Sequence, residues 1–257
     1  MCGHGALSGG LVVANMELSV VIPFYNEQEN VAVLLAEVRG VCDGLGRSYE
    51  AVLVNDGSSD GTGVCLDEEA KKWPQARIIH FVSNHGQAAA LFYGLKSATG
   101  DVMVTLDGDG QNDPGEIPRL LAALTDCDLV AGIRARRRDS ALRVAMSRLA
   151  NGVRSKILGD GVRDTGCSLK AFRREVVDAF IPIRTMYSFM AAMAVNAGFR
   201  LKQIEVAHRP RTRGVSKYGL VAFLWRPLLD MLGLLWFFRR RIPGRIAVRE
   251  SGEKSRS

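Results

Sequence analysis

The sequence predicts an α/β protein in which helices flank a mainly parallel sheet. Between residues 18 and 132, short runs rich in β-branched residues alternate with segments of helical periodicity. This alternation is typical of parallel sheets, because helices form the crossovers between parallel strands. The chain has 257 residues, of which 47% are hydrophobic and 24% charged. Such a composition supports one large globular core.

The predicted elements follow one another in regular order. A proline closes the first strand, because proline cannot lie inside a sheet. The predicted strands cover residues 18–23, 50–54, 78–82, 101–106, 129–132 and 201–206, and a turn with a further strand covers residues 164–170. The predicted helices cover residues 29–41, 88–98, 117–124, 141–158 and 189–197.

A hydrophobic stretch near the C-terminus, residues 219–238, is interrupted by Arg226, Pro227 and Asp230. Crossing a bilayer takes about 20 uninterrupted apolar residues, so we predict an amphipathic, juxtamembrane helix that lies in the interface. The predicted organisation is a disordered extension, one α/β domain, a membrane-associated segment and a disordered tail, at residues 1–15, 16–218, 219–241 and 242–257.

The net charge of +7 limits the classes of partner. Basic residues crowd between Arg134 and Arg148 and again between Arg239 and Arg245. This distribution suits nucleic acid, an anionic membrane surface or a phosphorylated substrate. The five cysteines are scattered and include no Cys-x-x-Cys pair. They indicate a reducing compartment and argue against a disulfide framework or a zinc site.

The acidic turn that follows the fourth predicted strand is the strongest candidate for a site. Asp107 and Asp109 are one residue apart, so a strand that ends there can direct both carboxylates at one cation. Carboxylate oxygens suit Mg²⁺ or Mn²⁺. The alternative is a plain turn, since Asp and Gly dominate turns for backbone reasons. Three more polar side chains lie just past strand ends, which meet at one edge of a parallel sheet: Tyr25, Asp56 and Asn84.

Five short motifs occur in order along the chain. They are VIPFYNE at residues 21–27, VNDGS at 54–58, NHGQ at 84–87, DGDGQNDP at 107–114 and RTRGVSK at 211–217. Together they resemble the motif set of glycosyltransferase family 2, and in particular its dolichyl- and polyprenyl-phosphate sugar synthase branch. The resemblance implies a GT-A (Rossmann-like) fold, a GDP- or UDP-sugar donor, a Mg²⁺ or Mn²⁺ ion and inverting transfer to polyprenyl phosphate.

The same resemblance assigns roles to individual residues. The donor-binding residues that it implies are Pro23, Tyr25, Glu27, Val54, Asp56, Asn84, Gly108 and Arg134. The metal ligands that it implies are Asp107, Asp109 and Gln111, and the catalytic residues are Asp164, Arg211 and Lys217. An arginine fork and a lysine point charge suit the donor phosphates.

Some of these roles have alternatives. Asp164 matches a base near the acceptor, but a lipid phosphate is already ionised at neutral pH, so this residue could instead orient the acceptor or cap the turn. Arg211 and Lys217 could belong to a solvated basic loop. Gln87 stands where many relatives carry Lys, which leaves the sugar and the nucleotide open.

The resulting hypothesis is an inverting, metal-dependent glycosyltransferase at the cytoplasmic face of the membrane. Mannose is the common sugar in the family. One alternative is a family 2 enzyme with a soluble or cell-wall glycan acceptor, and another is a non-catalytic, basic membrane-binding protein. Nucleic acid is not the expected partner. A dinucleotide-binding oxidoreductase is disfavoured because no Gly-x-Gly-x-x-Gly follows the first strand.

Overall fold

A computed structural model of the chain describes residues 16–135, 151–210 and 220–241. Several predictions fall outside these ranges. They concern the two predicted disordered ends, the domain boundary at residue 218, residues 141–150 of the predicted arginine-bearing helix, and the basic residues Arg211 and Lys217.

The described chain forms one seven-stranded sheet with the order β3-β2-β1-β4-β6-β5-β7. All neighbours are parallel except β6, which runs antiparallel to both β4 and β5. The prediction of a mainly parallel sheet is thus confirmed. The strands are Leu18–Phe24 (β1), Tyr49–Asn55 (β2), Ala76–His80 (β3), Val102–Thr105 (β4), Leu129–Arg134 (β5), Lys170–Arg173 (β6) and Leu201–Val206 (β7).

Helices cover both faces of this sheet, each over its own hydrophobic cluster. Leu34 and Leu66 lie in the cluster on one face, and Leu95 and Phe189 lie in the cluster on the other. The sheet is therefore buried on both sides, as parallel sheets usually are. The helices are Gln28–Asp43 (α1), Thr62–Lys71 (α2), Gln87–Ser97 (α3), Ile117–Ala123 (α4), residues 151–158 (α5), Met186–Asn196 (α6) and Leu220–Arg240 (α7).

Most element boundaries differ from the prediction by one or two residues. The strand predicted within residues 164–170 begins only at Lys170 and runs to Arg173. Strand β3 begins and ends two residues earlier than predicted, and Val82 is fully exposed. The Phe81 N–H donates to the Asn55 carbonyl at 2.8 Å as the chain leaves the strand, so the β-propensity of Phe81 and Val82 misleads. Helix α6 begins at Met186, three residues before the predicted start.

Helix α7 packs against the domain with one face. Met231 and Leu234 are buried in the cluster that also contains Phe189. Asp230 accepts a hydrogen bond from the Thr185 hydroxyl at 2.6 Å, so this charge faces the domain. Within the described ranges, we find no helix with both the length and the apolar character needed to cross a membrane.

Candidate active site

The loops that leave β1 and β2 interlock at the carboxyl edge of the sheet. The Asn26 N–H donates to the Ser58 hydroxyl at 3.0 Å, and the Glu27 N–H donates to the Thr62 hydroxyl at 2.8 Å. Asn30 donates to the Glu27 carboxylate at 2.6 Å. These bonds hold the segment that carries Tyr25 and Glu27, so both predicted donor-binding residues have a fixed backbone.

Asp56 joins the loop after β2 to the loop that precedes α3. It is buried, and its carboxylate accepts bonds from the backbone N–H groups of His85 and Gly86 at 2.8 and 2.9 Å. The Asn84 amide donates to the same carboxylate at 2.8 Å. Burial nevertheless raises the pKa of Asp56. The predicted donor-binding residues Asp56 and Asn84 thus contact each other, and Asp56 also holds the turn that starts α3.

Gln87 extends this network to the acidic turn, residues 107–113. Its side-chain amide donates to the Asp107 carboxylate at 2.6 Å. Gly108, within the turn, packs against β1, and a Cβ there would lie 2.5 Å from the Phe24 ring. Any side chain at position 108 would therefore displace the turn from the sheet. Pro23 and Val54 lie paired and buried in β1 and β2.

The Asp107 carboxylate lies at the centre of this edge. Its pKa is raised to about 6 by burial, and the neighbouring charge of Asp109 adds to the shift. Hydrogen bonds from Ser168 and Gln87 and the charge of Lys170 oppose the increase. Two carboxylates this close disfavour each other's ionised form, unless a cation binds between them.

The turn presents oxygen ligands of the kind that Mg²⁺ and Mn²⁺ prefer. Asp109 also orders the turn, because its carboxylate accepts the Gln111 N–H at 3.1 Å. Across the part of the chain that the structure describes, no three His, Cys, Asp or Glu side chains form a metal-binding cluster. The predicted ligand set has two carboxylates and one amide, so it fits a cation that keeps open positions for water or phosphate.

Arg134 and Asp164 form a closed ion pair. The Arg134 guanidinium donates to both carboxylate oxygens at 2.8 Å, and the Arg134 N–H donates to one of them at 3.1 Å. The Gly166 N–H supplies a fourth bond at 3.1 Å. Asp164 is buried, and these four bonds fix the orientation of its carboxylate. This geometry disfavours Asp164 as a mobile base and makes it an orienting partner for Arg134.

Three polar residues at this edge were absent from the predicted site: Gln87, Ser168 and Lys170. Ser168 and Lys170 lie just before and at the start of β6, and with Gln87 and Asp107 they line one narrow cavity. Lys170 is buried and donates to the Cys167 carbonyl; burial lowers its pKa, and the charge of Asp107 opposes this change. A lysine at the start of an otherwise apolar strand is the sequence signal that could have indicated Lys170 as a site residue.

The fold is that of an α/β protein, a class in which ligands bind at the carboxyl edge of the parallel strands, and the interlocked loops and the carboxylate pair lie at that edge. The chain belongs to glycosyltransferase family 2. The family described as "Glycosyl transferase family 2" matches residues 19–180. This range includes β1 from its second residue, β2 to β6 and every described site residue named above.

Curated relatives narrow the comparison to one branch. The undecaprenyl-phosphate 4-deoxy-4-formamido-L-arabinose transferase of Edwardsiella ictaluri is 40% identical over 210 residues, which cover 80% of this chain and 64% of that protein. The protein of the same name from Pseudomonas aeruginosa (strain LESB58) is 40% identical over 209 residues, with coverages of 80% and 62%. The chain thus spans slightly less than two thirds of the length of these relatives.

Solved structures confirm the GT-A fold. The mannosyltransferase PcManGT from Pyrobaculum calidifontis, in complex with GDP-Man and Mn²⁺, has a TM-score of 0.63 and 22% identity, covering 86% of this chain and 64% of that one. The glucosyl-3-phosphoglycerate synthase from Mycobacterium tuberculosis, in complex with Mn²⁺, UDP and phosphoglyceric acid, has a TM-score of 0.65 and 20% identity, with coverages of 86% and 79%.

Replacing Asp107 by Asn is expected to stabilise the metal-free protein, because Asn removes a partly buried charge that Asp109 repels but keeps an oxygen for the Gln87 bond. The pKa of Asp107 is raised from 3.8 to about 6 on folding. Ionisation in this window therefore lowers the free energy of unfolding as the pH rises. The advantage of D107N should be smallest near pH 4 and complete at about pH 8.

Thermal melts in EDTA measure this advantage. Each kcal/mol gained should raise the melting temperature by about 2–4 °C in a protein of this size. Asp67→Asn is the matched control, since the Asp67 side chain is 57% exposed. Equal melting temperatures of D107N and the parent at about pH 8 would contradict the buried charge.

Proposed function

We propose that the protein transfers a sugar, with inversion, from a nucleotide-sugar donor to undecaprenyl phosphate or a similar polyprenyl phosphate. One observation carries this proposal: the carboxylates of Asp107 and Asp109 lie at the edge where the loops of β1 and β2 also converge, and Gln87 holds Asp107 there. The relatives' undecaprenyl-phosphate acceptor and the Mn²⁺ complexes of the structural neighbours support it.

The donor binds across the interlocked loops in this proposal. Tyr25 and Glu27 contact the nucleoside, and Asp56 and Asn84 keep the loop between β3 and α3 in place around it. Asp107, Asp109 and Gln111 hold Mg²⁺ or Mn²⁺, which offsets the charge of the donor pyrophosphate. Arg211 and Lys217 add positive charge to the same phosphates. Most of the rate enhancement then comes from positioning and electrostatic stabilisation.

In this scheme Arg134, which the resemblance assigns to the donor, is oriented by Asp164 so that its guanidinium faces the reacting phosphates. The Arg134 side chain is 16% exposed and the Asp164 side chain 8%, so the guanidinium keeps some accessible surface while the carboxylate holds its orientation. The acceptor phosphate oxygen is already ionised and attacks the anomeric carbon without a base. We therefore assign Asp164 a positioning role.

The names of the relatives favour an arabinose-type amino sugar over mannose as the transferred group. Many relatives carry Lys at position 87, whereas here the neutral amide of Gln87 contacts Asp107. This difference in charge beside Asp107 leaves room for a donor other than GDP-mannose. A UDP-linked 4-deoxy-4-formamido-L-arabinose is thus the first donor to test, and GDP-mannose is the second.

The exposed face of α7 supports attachment to the membrane. Leu229, Leu232 and Trp236 are 63%, 54% and 65% exposed. At about 100° per residue, they lie on the face opposite Met231 and Leu234. Arg239 and Arg240 follow and are exposed. Each basic residue close to an anionic surface contributes about 1 kcal/mol, and the apolar stripe can enter the interface.

Labelled sugar should move from the nucleotide donor into organic-extractable lipid when undecaprenyl phosphate and Mn²⁺ are present. Asp109→Ala should lower the transfer rate by about 100-fold or more, because it removes a ligand that positions the charged donor. Asp126→Ala, an exposed aspartate paired with Lys202, is the matched control. Label that enters only a soluble glycan would favour the alternative acceptor, and an unaffected D109A variant would contradict the proposed site.

Binding to anionic vesicles should depend on the stripe of α7. Replacing both Leu232 and Trp236 by Ser should weaken co-sedimentation with phosphatidylglycerol vesicles by at least about tenfold, since each buried apolar side chain contributes about 1.5–3 kcal/mol. Tyr93→Ser changes an equally exposed aromatic residue on α3 and should have no effect. Equal binding of the double variant and the Y93S control would contradict this surface.

A further inference from the structure

The chain that leaves β7 is fastened to the acidic turn. The Arg209 N–H donates to the Gln111 carbonyl at 2.8 Å, and His208 forms an isolated antiparallel bridge with Asn112. One step earlier, the Ala207 N–H donates to the Glu116 carboxylate at 3.0 Å. Residues 207–209 therefore run along the outer side of the turn, and the described chain reaches Pro210 directly before the basic motif.

The Arg209 side chain adds a second attachment of a different kind. One terminal nitrogen donates to the Glu37 carboxylate of α1 at 2.6 Å, and the other donates to the Asp113 carboxylate at 2.9 Å. A guanidinium is a rigid, planar fork, so it can bind two carboxylates at a fixed separation, whereas an ammonium is a point charge. Arg209 thus joins three separate parts of the fold: α1, the acidic turn and the segment after β7.

Arg209 contacts the second half of the acidic turn, at Gln111 and Asp113. On the inner side, Gln87 holds Asp107, and the Ser168 hydroxyl donates to the Asn112 side chain at 2.6 Å. On the outer side, the Arg209 backbone N–H contacts Gln111 and the Arg209 guanidinium contacts Asp113. The Asp109 carboxylate holds the Gln111 N–H from within the turn, and the Arg209 guanidinium restrains the same turn from outside at Asp113.

We propose that Arg209 is a positioning residue whose guanidinium sets the geometry of the divalent-cation site by anchoring the acidic turn at Asp113 to Glu37 of α1. Both terminal nitrogens already face carboxylates, so Arg209 contributes to the site through the turn and not as a phosphate ligand. This inference rests on the proposed function, because it concerns the cation that the acidic turn would hold.

Mn²⁺ affinity tests this role without an assay of activity. The EPR signal of free Mn²⁺ is followed as parent or variant protein is added, in the presence of UDP or of GDP. Arg209→Met should weaken Mn²⁺ binding by about three- to tenfold, the range for a partly exposed, charge-assisted contact. Arg209→Lys should recover part of this loss, because an ammonium can still bind one of the two carboxylates.

The matched control is Arg39→Met. Arg39 also lies at α1, its side chain is 45% exposed against 41% for Arg209, and it pairs with Asp43 away from the turn. R39M should leave Mn²⁺ affinity unchanged. Thermal melts in EDTA then separate the two roles, because a merely structural arginine would change the melting temperature and not the Mn²⁺ affinity at a temperature where both variants are folded.

Each outcome is decisive. Parent-like Mn²⁺ affinity in R209M, or an equal loss in R39M, would overturn the positioning role while leaving the proposed function intact. A parent protein that takes up no Mn²⁺ with either nucleotide would contradict the proposed function itself, and this inference with it.

Discussion

The repulsion between two carboxylates, Asp107 and Asp109, in the turn that follows β4 is the constraint on which the rest of this edge depends. Burial and repulsion from Asp109 raise the pKa of Asp107 to about 6. The ionised Asp107 carboxylate is therefore less stable in the folded protein than it would be in a water-exposed turn. The surrounding loops supply the compensation: an amide from Gln87, a hydroxyl from Ser168 and the distant charge of Lys170. A site that stores repulsion of this kind is suited to a cation.

The neighbouring loops are also held in place by charged side chains. Asp56 fixes the turn that presents Gln87, and Arg209 fixes the turn that presents Gln111. Arg134 and Asp164 satisfy each other beside this centre. Charged groups that are held by several short bonds cannot reorganise at low cost, and such preorganisation is how a site stabilises charge that develops during a reaction.

Local patterns predicted the strands, most helices and the acidic turn, because periodicity and turn residues act within a few positions of each other. Local patterns could not predict that β6 places Ser168 and Lys170 at the site. Its antiparallel insertion between β4 and β5 is a long-range pairing, and only this pairing places Ser168 and Lys170 next to Asp107. The Arg209 contacts have the same origin, since Glu37 lies 172 positions away in sequence. The shifted end of β3 shows the converse, where a strong local propensity at Val82 was overridden.

We expect the carboxylate pair to make nucleotide binding depend on a divalent cation. Titration calorimetry of UDP and GDP into the parent protein, once with Mn²⁺ and once with EDTA, tests it most directly. We predict that at least one nucleotide binds with Mn²⁺, that chelation weakens its binding by at least about tenfold, equivalent to 1.4 kcal/mol, and that the Asp107→Ala/Asp109→Ala double variant shows no such difference. Equal binding with and without Mn²⁺ in the parent protein would contradict the account.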